Sequence, residues 1–337
     1  MRALAENTET TTPAPGLKRF VRVQRHRIVP PVTPITVGTG QVVDSRYRLL
    51  AVLGLGSTGV VYLALDLGLQ RHVALKMLAG QPSPNSTVVR FFRQEAVAMA
   101  SIRHPNVVQV HAFGEHEGLP YLVMDYVDGE TLAAYLARTV AMDEPLCLDV
   151  VLGLMGQVCR GLQAVHDRGI VHRDIKPANM LVDHEHQVRL IDFGLVASQD
   201  PQFSGTLAGS PLYLAPELIR GDAVPDDQLH LCDVYALGVS IYELLTGVGP
   251  FEGESIQQML QAHLHTTPPR VTDARPDLPL AVDAVLVRAM HKDPVERFQS
   301  CDALWDALYT ARGPRPEMAS DVEAPRLQDL ISQFASF

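Results

Sequence analysis

His172-Arg173-Asp174-Ile175-Lys176-Pro177-Ala178-Asn179 and, shortly after it, Ile191-Asp192-Phe193-Gly194 are the stretches on which the reading of this chain turns. The first gathers a carboxylate, two cations and an amide oxygen, and the second adds another carboxylate. Moving a phosphoryl group from a nucleotide to a hydroxyl calls for such a set. It needs a carboxylate facing the hydroxyl, positive charge at the transferring group and hard oxygen ligands for Mg²⁺. Either stretch alone occurs in unrelated loops. Both, in this order and at this spacing, predict a single site of phosphoryl transfer.

Working toward the N-terminus, Gly54-Leu55-Gly56-Ser57-Thr58-Gly59 is a GxGxxG pattern, weak when taken alone. Glycines let backbone N–H groups come close to phosphate because no Cβ intervenes. In a dinucleotide-binding fold a helix follows such a loop. Here Val60-Val61-Tyr62-Leu63 follows, and two β-branched residues in a row predict a strand. The glycines therefore read as a hairpin covering nucleotide phosphates. Val73-Ala74-Leu75-Lys76 ends an apolar strand on a lysine, which alone would read as a solvated side chain. With the glycine loop ahead of it, Lys76 is placed to reach α- and β-phosphates. The pattern predicts a helix over Val88 to Ile102, in which Glu95 shares the apolar stripe of Met99 and Ile102. A carboxylate on that face needs a partner, and Lys76 is expected to be that partner.

Short apolar runs predict further strands over Arg48 to Leu53, Val60 to Leu65, His72 to Met77, Val107 to Phe113 and Tyr121 to Val127. Beyond Gly129, helical patterns dominate over Leu146 to His166, Val234 to Leu245 and Ile256 to His265. A small β-rich part followed by a larger helical part is the order of a two-lobed α+β enzyme.

Over residues 47–312 the chain resembles the eukaryotic-type serine/threonine protein kinases, a family also found in bacteria. The resemblance implies a bilobal kinase-like α+β fold. Its N-lobe (47–127) would be a small antiparallel sheet with one main helix, and its C-lobe (128–312) largely helical. By the same resemblance Asp174 is the base that takes the hydroxyl proton, and Lys176 steadies the γ-phosphoryl group, a lysine typical of the serine/threonine branch. Asn179 and Asp192 would hold Mg²⁺ or Mn²⁺. Residues Gly54, Leu55, Gly56, Ser57, Thr58 and Gly59 would cover the ATP phosphates, with Thr58 at a loop tip that is often aromatic in the family. Val61, Ala74 and Leu181 would enclose the adenine ring. Met124 falls at the gatekeeper position, and Asp125, Tyr126 and Val127 at the hinge. His172 and Phe193 would be packing members. Ala215-Pro216-Glu217 matches the motif that closes the activation segment, with Glu217 pairing Arg297 and Ser210 bonding the base and its lysine. Thr206 matches an activating phosphosite, whose phosphate Arg173 would receive. Asp233 would anchor the catalytic-loop backbone.

The implied activity is transfer of phosphate from ATP to protein serine or threonine hydroxyls, with autophosphorylation of the activation segment. A pseudokinase that binds nucleotide without chemistry is the alternative, but its usual mark is loss of a residue at the Lys76, Asp174 or Asp192 positions. Small-molecule phosphotransferases of related fold usually lack the segment ending at Glu217.

Composition bounds what surrounds this domain. With 337 residues and a net charge of −10, general nucleic-acid affinity is not expected. The charge is uneven. Residues 1–46 hold seven cations against three acids, so +4 sits there and −14 on the rest. That basic arm reads as a solvated tail or as an element docking onto the acidic body, a partner or an anionic surface. Residues 18–43 allow an edge strand or a linker. Residues 313–337 form a proline-containing linker followed by Leu327, Leu330, Ile331 and Phe334 at helical spacing, a short amphipathic helix that packs on its own domain, binds a partner or frays. Cys147, Cys159, Cys232 and Cys301 are scattered, which fits a reducing compartment and buried, inert packing. No secretory signal is visible and no run approaches the ~20 apolar residues of a spanning helix, so the chain reads as cytoplasmic.

Overall fold

The computed structural model describes residues 38–56, 59–80, 86–193 and 210–314. The basic arm to residue 37, Ser57, Thr58, Gly194, Thr206 and the C-terminal amphipathic pattern lie outside the described residues.

Alternating apolar runs build the first sheet. Strands β1 (Val42–Val43), β2 (Tyr47–Leu55), β3 (Gly59–Asp66), β4 (Arg71–Leu78), β5 (Val110–His116) and β6 (Leu119–Asp125) form an antiparallel sheet in the order β1-β2-β3-β4-β6-β5. The period of two divides its side chains. Tyr62, Leu75 and Val123 pack in one cluster with Tyr47 and Leu49, while Ala74, Leu122 and Met124 join the core that continues into the C-lobe. Helix α1 (Thr87–Ala100) begins at Ser86, whose side chain accepts from the Val89 amide, and it packs on β5.

The C-lobe opens with a small sheet, β7 (Gly129–Thr131), β8 (Met180–Asp183) and β9 (Val188–Leu190), which carries the loop from His172 to Asn179 ahead of β8. Around it lie α2 (Leu132–Ala141), α3 (Leu148–His166), α4 (Pro216–Arg220), α5 (Leu231–Thr246), α6 (Ile256–His265), α7 (Val271–Ala274), α8 (Leu280–Ala289) and α9 (Cys301–Ala311). Asn106 and Gln157 lock α3 to this sheet: Asn106 Nδ2 donates to the Val188 carbonyl at 2.8 Å, and Gln157 Oε1 accepts from the Val188 amide at 3.0 Å.

Three expectations need correction. The strand expected over Val107 to Phe113 begins only at Val110, because Val107 makes a lone bridge to Leu190 and stitches the two lobes. Cys147 is exposed, not buried packing, since it sits just ahead of α3 at its solvent-facing start. Helix α3 begins at Leu148, two residues after the start expected at Leu146. At 19 residues it is long and apolar enough to cross a membrane by length and composition, but 67% of its apolar window is buried inside the C-lobe. An all-round apolar helix is a core helix when its neighbours cover it.

Candidate active site

The buried run of β4 carries Lys76, and register does the rest. Val61 of β3 lies opposite Lys76, and Ala74 lies opposite Met124 of β6. The Lys76 ammonium lies 3.2 Å from Glu95 Oε1 and 2.8 Å from Asp192 Oδ1. Burial alone would make Lys76 easier to deprotonate, but the Asp192 and Glu95 carboxylates outweigh it and hold the ammonium above its ordinary pKa. The two carboxylates do not share this benefit equally. At Glu95, burial dominates the attraction of Lys76, and repulsion from Asp192 adds to it, so its carboxyl is pushed up to about 7. Asp192 is closer to the ammonium and 38% exposed; there Lys76 overcomes burial and the carboxyl stays below its usual range. One ammonium compensates one carboxylate, and the nearer takes it.

The loop from His172 to Asn179 is tied around Asp174. Its carboxylate accepts from Lys176 Nζ at 2.6 Å, Asn179 Nδ2 at 2.8 Å and the Ser210 amide at 3.3 Å. Lys176 also donates to Ser210 Oγ at 2.8 Å, and Asn179 Nδ2 to the Asp174 carbonyl at 2.8 Å. Beneath the loop, Asp233 accepts from the amides of His172 and Arg173, each at 2.8 Å. This holds Arg173 at φ +64°, a left-handed conformation that costs a non-glycine residue about 1–2 kcal/mol. Asp192 shows a similar φ of +55°. The His172 ring stacks on Phe193 at 4.6 Å and 24°. Burial keeps that imidazole neutral; its Nε2–H donates to the Ile191 carbonyl and its Nδ1 accepts from the Asp174 amide.

Nucleotide and metal fit what is present. Gly59 is required by the chain itself, since a Cβ there would lie 2.0 Å from the Met77 carbonyl oxygen. Gly54 is different: a Cβ on it meets nothing within 4 Å. The backbone at Gly54 is therefore open to close approach, as a phosphate would need. Asn179 has spent its N–H donors on Asp174, which leaves its amide oxygen, a hard donor, for a cation. Among the described residues, Asp192 bonds through Oδ1 to Lys76, and its second oxygen is a hard donor of the same kind. Among the described residues no three His, Cys, Asp or Glu side chains gather into a metal cage. A cation here must draw its remaining oxygens from phosphate and water, as Mg²⁺ characteristically does.

The structure thus gathers these residues into two hydrogen-bonded groups, Lys76 with Glu95 and Asp192, and Asp174 with Lys176, Asn179 and Ser210. Ala74, Met124 and Val127 join the core that runs up to the interlobe cleft, and Val61 and Leu181 pack partly buried against it. Asp125 carries an unforeseen partner, His111 Nε2 at 2.6 Å. Sequence reasoning also missed His166, whose Nε2 lies 2.8 Å from Asp233. Its only sequence signal is a histidine at the polar end of an apolar helix, which by itself is uninformative.

A family model described as protein kinase domain matches residues 47–308. The chain is 35% identical over 275 residues to the serine/threonine-protein kinase PrkC of Bacillus subtilis, covering 81% of this chain and 41% of that protein. It is 36% identical over 289 residues to the serine/threonine-protein kinase PknB of Mycolicibacterium smegmatis, covering 83% and 45%. The chain therefore spans less than half the length of these curated relatives. Among solved structures, the kinase domain of PknI from Mycobacterium tuberculosis superimposes with a TM-score of 0.63 at 30% identity, covering 82% of this chain and 100% of that one.

Proposed function

The chain belongs to the protein kinase family, and from that premise we propose that it transfers the γ-phosphoryl group of Mg·ATP to serine and threonine hydroxyls of proteins. The observation that carries this reading is the array around Asp174, in which a carboxylate, an ammonium and a hydroxyl meet within hydrogen-bond reach.

In this reading Asp174 orients the acceptor hydroxyl and takes its proton. Lys176, 2.6 Å away, keeps positive charge where the transferring group becomes more negative. Asn179 and Asp192 hold Mg²⁺ or Mn²⁺, which when bound neutralises charge on the phosphates. Lys76 is kept charged for the α- and β-phosphates by Glu95 and Asp192. Gly54 to Gly59 bring backbone amides over the phosphates, and Val61, Ala74, Met124 and Leu181 give the adenine an apolar slot, with backbone groups at Asp125 and Val127 on its edge. Ser210 and Lys176 together favour an aliphatic hydroxyl as acceptor, and the segment closing at Glu217 supports a protein substrate.

Incubation with labelled Mg·ATP and generic Ser/Thr acceptor proteins tests it. Wild type should label Ser and Thr, and Asp174→Asn should lose that transfer while retaining nucleotide binding. Wild type that binds nucleotide but labels nothing would replace the enzyme with a nucleotide-binding scaffold.

A further inference from the structure

One hydrogen-bond chain outside the phosphate-handling groups crosses three helices and ends on the catalytic loop. It starts at Cys301, the first residue of α9, whose Sγ lies 3.6 Å from His166 Nδ1. His166 closes α3, and its Nε2 lies 2.8 Å from Asp233 Oδ2. Asp233, in the first turn of α5, passes the chain to the amides of His172 and Arg173. The path is sealed from solvent, with Cys301 fully buried and the His166 and Asp233 side chains only 4% and 1% exposed.

We propose that Cys301 is a positioning residue for phosphoryl transfer: its S–H donates to His166 Nδ1, selects the imidazole tautomer with the proton on Nε2, and thereby aims Asp233 at the catalytic-loop backbone. This rests on the kinase reading of the Asp174 array.

The argument is one of donors and acceptors. A neutral imidazole has one of each, and its surroundings choose which nitrogen carries the proton. Asp233 is acceptor-only. With the proton on Nδ1, the bare Nε2 would set its lone pair against a carboxylate oxygen at 2.8 Å. With the proton on Nε2, Nδ1 needs a donor, and Cys301 is the side chain facing it. Burial keeps that thiol well above its usual pKa, so it stays S–H. Its position is not slack, because Gln163 Oε1 accepts from the Cys301 amide at 3.0 Å and ties α9 to α3. The neighbouring groups do not compete for Nδ1. His230 meets the His166 ring edge-on at 5.3 Å with its own Nε2 on the Gln299 carbonyl, and Cys232 Sγ faces Asp233 Oδ1 at 3.9 Å. What hangs on the chain is Arg173, held left-handed directly before Asp174. Small displacements of a base are expensive in rate, because reaction depends on near-attack geometry.

The test uses the full chain with Cys301→Ser, Cys301→Ala and Cys301→Val. Loss of one buried hydrogen bond should lower kcat by about 2- to 10-fold in the Ala and Val variants. KM for Mg·ATP should hold, because Lys76 and Asp192 are not part of the chain. Serine keeps a donor and should restore kcat. The ¹⁵N shifts of His166 should report Nε2–H in wild type and Cys301→Ser, and a mixture in the other two. A kcat that follows side-chain volume, with Val near wild type and Ser low, overturns the proposal, as does Nδ1–H in wild type. If wild type transfers no phosphate, the kinase reading falls instead. The tautomer then still decides: its loss in Cys301→Ala supports the relay, and its persistence overturns it.

Discussion

Glu217 and Arg297 lie face to face as a two-pronged ion pair, Oε1 to Nη1 at 2.8 Å and Oε2 to Nη2 at 2.7 Å, with both side chains sealed from solvent. The guanidinium also donates to the carbonyls of Leu231 at 2.8 Å and His291 at 2.7 Å, and lies over the Tyr235 ring at 4.9 Å. Every strong donor is answered, so the start of α4 is fixed to the floor of the C-lobe. Removing one partner strands the other as a buried charge.

Arg297→Ala or Glu217→Ala should therefore each cost about 3–5 kcal/mol. The double variant should cost clearly less than the sum, because neither charge is then left alone. Urea unfolding of the four proteins checks this, and additive losses would refute the coupling.

At the other lobe, Glu95 gives stability and activity opposite slopes with pH. Its carboxyl is raised from 4.5 to about 7 by burial, so the folded protein binds that proton more tightly than the unfolded chain. This contribution to stability is present below pH 4.5 and is lost as pH rises through about 7. Phosphoryl transfer runs the other way, since an ionised Glu95 is what keeps Lys76 in place. Glu95→Gln should flatten both slopes and lower transfer by about 10- to 100-fold, the worth of a charge-assisted hydrogen bond. Profiles of kcat and of urea midpoint that stay parallel to wild type across that window would exclude Glu95 as their source.

His263 contributes with the opposite sign. It is buried on α6 against Phe251 at 4.6 Å, with Nδ1 2.9 Å from the Tyr235 hydroxyl. Burial first, and the nearby Lys292 ammonium second, lower it from 6.5 to about 4. The unfolded chain takes up this proton earlier, so the stability it supports is complete above pH 6.5 and is lost as pH falls toward 4. The loss amounts to at most about 3 kcal/mol. The stability gap between wild type and His263→Gln should narrow over that interval. A gap constant from pH 7 to pH 4 would show that His263 does not titrate in unfolding.

How much of this was legible in the sequence depends on the kind of signal. Glu95 could be placed because a helix repeats every 3.6 residues and a charge on its apolar stripe requires a partner. Lys76, Asp174 and Asp192 were legible because their chemistry comes in short, ordered motifs. The Cys301–His166 contact was not, because hydrogen bonds between helix ends leave no periodic trace in sequence. Nor was the late start of β5. Val107 continues the apolar run of that strand, but its backbone partner is Leu190 in the C-lobe, a choice made by tertiary packing.

The remaining prediction concerns Arg173. Its Nε is buried with no hydrogen-bond partner among the described residues, an expensive state for a charged donor. A phosphate carries close to two negative charges and three acceptor oxygens, which answers that need. Thr206 is the residue expected to bear it, although it lies outside the described residues. After incubation with Mg·ATP, mass mapping should find phosphate on Thr206 in wild type and none in Asp174→Asn. Phosphorylated wild type should turn over faster than the phosphatase-treated protein. Arg173→Ala should lose that gain, because the guanidinium that would order the phosphate is then gone. Phosphate confined to the 1–46 arm would remove Thr206 from the scheme, and an undiminished gain in Arg173→Ala would remove Arg173.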